Sequence, residues 1–206
     1  MRASIGGWAR LAAGAVALLA FAWAGAVAGA AVGLQIQSVT LAERAHLAEG
    51  IPDLVINGAG VRKRLFINVY VGALYLPRKM LLPEVILADG VPRRLALHVL
   101  RDEITAEQLL GSFRDGLEAN NAPADLAAVS ASVKQLDGIF NAVKVVKKGD
   151  SILLDYLPET GTRITVAGQV RGTIQGAGFN RALMRIWLGE KPVDANLKKA
   201  LLGAPG

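Results

Sequence analysis

The segment that most constrains the fold is an apolar run that ends at Pro77 and reads LFINVYVGALYL. From Leu65 to Leu76 it is rich in β-branched and aromatic residues, and its apolar positions do not repeat at helical spacing. This composition predicts a β-strand. A nearly continuous apolar run is typical of a strand buried on both faces, so we expect a central position in a sheet. The preceding Gly58-Ala59-Gly60 predicts a turn in front of the strand.

Two polar side chains stand out in this segment. Arg62 follows the predicted turn, and Tyr70 interrupts the apolar run. A guanidinium and a phenol beside an apolar wall can hold the oxygens of an anionic or phenolic head group. The same residues also fit a simpler interpretation, in which Arg62 is solvated beside Lys63 and Arg64 and Tyr70 is an ordinary strand tyrosine.

The remaining periodicity predicts short strands and several helices. Alternating positions predict a strand over 93–100, short strands within 34–57, and three strands within 145–174. Thr105 and Gln108 have the spacing of a capping box at the start of a helix. Helices are predicted over 83–88, 105–120, 124–143, 180–189 and 193–202. These elements indicate an α+β chain, and we expect one domain over 31–206 because no repeat or linker interrupts it.

The first 30 residues have the order of a secretory signal peptide. Arg2 and Arg10 precede an uncharged apolar core, and small residues with the A-x-A pattern follow. We therefore expect secretion across the inner membrane to the periplasm, with the mature chain beginning near residue 29 or 31. The alternative is an uncleaved anchor, because the apolar character of 11–34 is long enough to span a bilayer.

Composition excludes several classes of site. The chain has no cysteine and only two histidines, which argues against a thiolate or histidine-rich metal site. It has neither a G-x-S-x-G motif nor a phosphate-binding glycine loop, and no cofactor is expected. Loss of 1–30 would remove two basic residues and no acid, so the formal charge would fall from +6 to +4. The dispersed basic residues suit a solvated surface or weak attraction to an anionic membrane, not nucleic acid.

The block GAGVR, followed by an aromatic-rich strand ending in ALYL, resembles the signature of the chalcone isomerase-like family. The C-terminal IWLG, KPVD and LKKALLG segments are similar to the bacterial branch of that family. The resemblance covers most of the mature chain. It implies an open-faced β-sandwich, in which an antiparallel sheet is covered by a layer of helices.

The resemblance also implies site residues on the first long helix. Plant chalcone isomerases carry a Tyr and an Asn seven residues apart on this helix, and both contribute to the substrate site. Asn120 matches that Asn, whereas Phe113 replaces the Tyr and removes a hydroxyl that would polarise the substrate ketone. A structural role for Asn120 at the end of the helix is equally consistent with its position.

Two functions remain open. The first is a non-catalytic protein that binds a fatty acid or similar apolar carboxylate, as plastid relatives do with an Arg after the GAGV block and a Tyr on the next strand. The alternative is an intramolecular lyase of the chalcone-flavanone isomerase type, with Arg62 on a phenolate and Asn120 orienting the substrate. Tyr70 stands where catalytic plant members place a Thr, which together with Phe113 favours the binding protein.

Overall fold

A computed structural model of the chain describes residues 33–204. The predicted signal peptide, 1–30, lies outside the described residues. The strands are β1 Leu34–Ile36, β2 Val39–Leu41, β3 Arg44–Ala45, β4 Leu54–Arg64, β5 Ile67–Leu76, β6 Arg93–Val99, β7 Glu103–Thr105, β8 Val145–Lys147, β9 Ser151–Leu157, β10 Gly161–Val166 and β11 Gln169–Ile174. The helices are α1 Pro83–Ile86, α2 Ala106–Asn120, α3 Pro123–Ala128, α4 Ser130–Val143, α5 Ala177–Leu188 and α6 Ala195–Leu201.

An antiparallel sheet with the order β11-β10-β9-β6-β5-β4-β3 forms the framework. The predicted central strand is β5, which is hydrogen-bonded on both sides and buried from Val69 to Leu76. Val71, Ala73 and Tyr75 lie in one apolar cluster, while Leu74 and Leu76 lie in the other. The prediction of a strand buried on both faces is confirmed.

The two faces of the sheet are covered differently. The larger apolar cluster combines the sheet with side chains of α2, α4, α5 and α6. The smaller one contains β5 side chains together with Leu41, Ala45 and Leu47 from the N-terminal strands and the loop after them. The prediction of an α+β fold, in which helices cover an antiparallel sheet, is confirmed. None of the helices within 33–204 is long and apolar enough to cross a bilayer.

The prediction of a Gly-Ala-Gly turn is wrong. Gly58 and Gly60 lie inside the eleven-residue strand β4, paired with Leu74 and Gly72 of β5. The turn of the hairpin is instead formed by Leu65 and Phe66, the residues predicted to begin the strand. The glycines serve packing: a Cβ on Gly60 would lie 2.7 Å from the Ala200 Cβ of α6.

Other boundaries also differ from the prediction. The capping box of Thr105 and Gln108 is present at the start of α2. The helix predicted over 124–143 is two helices, because the backbone leaves helical geometry at Val129, which has φ −109° and ψ 11°. The region 145–174 contains four strands instead of three, since Val145–Lys147 pairs with Glu103–Thr105 in a small separate sheet.

Candidate functional site

Arg62 and Tyr70 face each other across the β4–β5 hairpin. They are Cα partners in the ladder, and the Arg62 guanidinium carbon lies 5.6 Å from the centroid of the Tyr70 ring. The register then shifts, so that Lys63 pairs with Asn68 and Val69 has no partner on β4. This bulge brings both Val69 and Tyr70 into the apolar cluster beneath the helices. The hairpin thus brings a cation and a phenol to one edge of the core.

The Tyr70 hydroxyl is oriented by Trp187 of α5. The indole Nε1 donates a hydrogen bond of 2.7 Å to it, and because indole is only a donor, the phenol oxygen must accept. The hydroxyl makes no other hydrogen bond within 33–204 and therefore retains its own hydrogen for a further acceptor. Burial raises the pKa of Tyr70 to about 12, against the opposing effects of Arg62 and Trp187. Tyr70 is a neutral donor at physiological pH.

Arg62 is incompletely paired. Its Nη2 donates to Ser112 Oγ of α2 over 3.4 Å, whereas its buried Nε has no hydrogen-bond partner among the described residues. An unpaired buried donor costs about 1–3 kcal/mol, and more when it belongs to a charged group. An unpaired buried donor of this kind calls for an explanation, and a ligand that supplies an acceptor is one.

Two spaces adjoin Arg62, and Tyr70 lines only the smaller of them. An outer recess of about 310 Å³ is partly polar and is lined by Arg62, Gln108, Ser112 and Asp115, among others. An inner cavity of about 30 Å³ shares Arg62, Gln108 and Ser112 with the recess and is otherwise mainly apolar. The inner cavity has room for only about one or two water molecules. Arg62 therefore lines both a partly polar recess and a small, mainly apolar cavity.

The structure brings Phe113 to the site but not Asn120. Phe113 lines the inner cavity and packs edge-on against Trp187 and Phe140, each ring centroid 5.7 Å away. Asn120 donates to the carbonyls of Gly116 and Lys191 and accepts from the Lys191 amide, so it fastens the turn after α5 to α2. These contacts match the structural interpretation of Asn120.

Sequence reasoning missed Trp187, Ser112 and Gln108. Trp187 lies in the IWLG segment, and a buried indole is expected to have a hydrogen-bond partner. That partner, however, is 117 residues away in the chain and could not be identified from spacing. Gln108 carries a sequence signal only for the capping box, and Ser112 on the same helix α2 carries none that distinguishes it from a solvated polar residue.

A sequence profile described as chalcone isomerase-like matches residues 33–203. The chain belongs to the chalcone isomerase-like family. No curated protein matches the chain. Among solved structures, the crystal structure of a fatty-acid binding protein from Arabidopsis thaliana is similar, with a TM-score of 0.56 and 14% sequence identity over 72% of this chain and 86% of that one. At this identity the likeness shows the fold, which confirms the predicted open-faced sandwich of this chalcone isomerase-like chain.

Within this chalcone isomerase-like fold, the ionisable groups that line the two spaces differ in charge and position. Tyr70 has a pKa far above neutrality, and Phe113 has no hydroxyl. Of the residues lining the recess and the inner cavity, Asp115 alone carries a carboxylate, and it lies on the outer recess. Charge-assisted binding of an anion is the chemistry that Arg62 and Tyr70 together support best.

Proposed function

We propose that this protein binds an apolar carboxylate, such as a fatty acid, without transforming it. The observation that carries the proposal is the unpaired, buried Nε of Arg62 beside a Tyr70 hydroxyl that is free to donate. A carboxylate offers acceptor positions for both donors and would compensate the guanidinium charge. The similarity in fold to a protein described as fatty-acid binding supports this choice of ligand class.

The acyl chain would extend from Arg62 toward the apolar core. Because the inner cavity holds only about 30 Å³, an acyl chain enters only if lining side chains such as Leu109, Phe113 and Ile186 move. The proposal therefore includes repacking of these side chains upon binding. Affinity should rise with acyl chain length, since each buried methylene contributes about 0.8 kcal/mol.

Arg62→Ala is expected to weaken binding of a fatty acid by about 1.5–3 kcal/mol, or about 10- to 150-fold, because it removes a charge-assisted contact. Displacement of a fluorescent fatty-acid analogue measures the change. Arg171→Ala is the matched control, since Arg171 is an exposed residue of β11 and its loss changes the net charge equally. Equal affinities of the two variants would exclude Arg62 from the site.

Tyr70→Phe is expected to weaken binding by about 1.5 kcal/mol, at the lower end of the range for Arg62→Ala, because it removes one hydrogen bond from an uncharged donor to the carboxylate. With the pKa of Tyr70 at about 12, this phenol stays protonated, so the wild-type to variant ratio should be constant from roughly pH 6 to 10. The same displacement titration tests both statements. Unchanged affinity in the variant would remove Tyr70 from the binding site.

Mass spectrometry of small molecules extracted from gently purified protein provides the direct test. A stoichiometric fatty acid that is present in the wild type and missing from Arg62→Ala would support both the function and the site. A wild-type protein that carries no fatty acid and also fails to bind added fatty acid would contradict the proposal.

A further inference from the structure

The tip of the β4–β5 hairpin is strongly apolar and projects into solvent. Leu65 is 87% exposed, Phe66 is 101% exposed and Ile67 is 53% exposed. Leu65 has φ 55°, in the left-handed region where turns of this kind usually place Gly or Asn. Neither packing within the described chain nor turn preference accounts for a Leu-Phe pair at this position.

The residues beside the tip are cationic. Lys63 and Arg64 are exposed at the end of β4, and neither forms an ion pair with a carboxylate of residues 33–204. Exposed aromatic and aliphatic side chains flanked by Lys and Arg are typical of segments that enter the interface of an anionic membrane. The charges would meet lipid phosphates while the apolar pair enters the acyl boundary.

The tip adjoins the mouth of the candidate binding site. Arg64 lines the outer recess of about 310 Å³ together with Arg62. A membrane in contact with the tip would therefore meet the opening of the recess. A lipid acid could then pass between the bilayer and the recess with less exposure to water.

We propose that the tip, defined as Lys63 to Ile67, docks on the surface of an anionic lipid bilayer. Leu65 and Phe66 enter the interface, and Lys63 and Arg64 contact lipid phosphates. Docking of the tip does not depend on ligand binding in the recess, so either proposal can fail while the other stands.

A second exposed apolar patch provides the matched control. Leu81, Leu82 and Val85 are exposed near the opposite end of β5, close in sequence to Arg78 and Lys79. This patch is also apolar beside two basic residues, but it contains no aromatic side chain, and none of these five residues lines the outer recess or the inner cavity. Non-specific adsorption of apolar side chains to the bilayer would change the environment of both patches equally. Oriented docking would change the environment of the tip alone.

The absence of cysteine from the chain allows a site-specific reporter. The two variants Ile67→Cys and Leu82→Cys are made in the full chain, and each is labelled with an environment-sensitive dye. The dye is thereby attached at positions of similar exposure, 53% and 57%. Vesicles of phosphatidylcholine with about one third phosphatidylglycerol are expected to shift the emission of the dye at position 67 to the blue, and that at 82 much less. Vesicles of phosphatidylcholine alone should have little effect.

Two variants in the Ile67→Cys background separate the contributions. The double variant with Lys63→Gln and Arg64→Gln should need about 25-fold more lipid for a half-maximal shift of the dye emission, or about fivefold more per charge removed. Arg78→Gln with Arg171→Gln, which removes two charges away from the tip, should have little effect. Leu65→Gly with Phe66→Ser should raise that lipid requirement at least about tenfold while keeping the hairpin, because glycine accepts a positive φ.

Three outcomes would overturn the proposal. The first is dye emission at position 67 that does not change when anionic vesicles are added. The second is an equal shift of dye emission at positions 67 and 82. The third is a response that needs no vesicles and grows with protein concentration, which would assign the tip to contact between copies of the chain.

Discussion

Replacement of Gly58 with alanine is expected to lower the free energy of unfolding by at least about 3 kcal/mol. A Cβ at this position would lie 2.0 Å from the carbonyl oxygen of Ala200 and 2.8 Å from that of Leu201. Backbone carbonyls cannot rotate away as a side chain does, so α6 would have to move off β4. That movement would also strain the hydrogen bond of 2.8 Å from Asn57 Nδ2 to the Leu201 carbonyl.

Gly138→Ala provides the matched control for this substitution. Gly138 lies inside α4, and no atom lies within 4 Å of the position that its Cβ would take. The same substitution should therefore raise stability there by about 0.5–1 kcal/mol, because alanine favours a helix over glycine. Urea unfolding of the two variants measures effects of opposite sign. A Gly58→Ala protein as stable as the wild type would contradict the close approach of α6 to β4.

Asp155→Ala is expected to lower the free energy of unfolding by about 3–5 kcal/mol. The carboxylate is buried on β9, where it accepts from Arg94 Nε at 2.5 Å and Nη2 at 2.8 Å, and from Arg163 Nη2 at 2.8 Å. Its removal would leave two partly buried guanidinium groups without their anion. The three residues belong to adjacent strands β6, β9 and β10, so the loss should disturb the centre of the sheet.

Asp137→Ala tests whether burial is the cause, because it makes the same substitution in a more exposed ion pair. Asp137 pairs with Arg114 at 2.8 Å, and its side chain is 26% exposed, whereas that of Asp155 is 1% exposed. Loss of this pair should cost less than about 1 kcal/mol, and salt should reduce that cost further. Equal effects of the Asp155 and Asp137 substitutions in urea unfolding would show that the sheet does not depend on the buried carboxylate.

Local patterns predicted the elements that depend on local physics. The capping box at Thr105 and the burial of β5 follow from spacing and composition, because a helix start and a two-sided strand each leave a signal within a short stretch. The glycines of GAG were misassigned because a glycine that permits a turn and one that permits close packing are identical in sequence. Only the position of Ala200 distinguishes the two roles.

The candidate site was predictable only in part. Arg62 and Tyr70 were recognisable because a cation and a phenol are unusual beside a buried strand, and Phe113 followed from the family resemblance. Trp187 could not be linked to Tyr70, because a hydrogen bond between distant residues depends on the packing of α5 over the sheet.

The sequence by itself determined the α+β class, the central strand and the family resemblance, whereas secretion stays a prediction. These properties depend on periodicity, composition and motifs that a short window contains. Tertiary structure decided that the Nε of Arg62 remains unpaired. It also decided that Asn120 forms hydrogen bonds with the turn after α5. It also placed Leu65 and Phe66 at an exposed tip beside the recess. Burial and pairing depend on residues far apart in the chain, so they are settled only when the helices pack on the sheet.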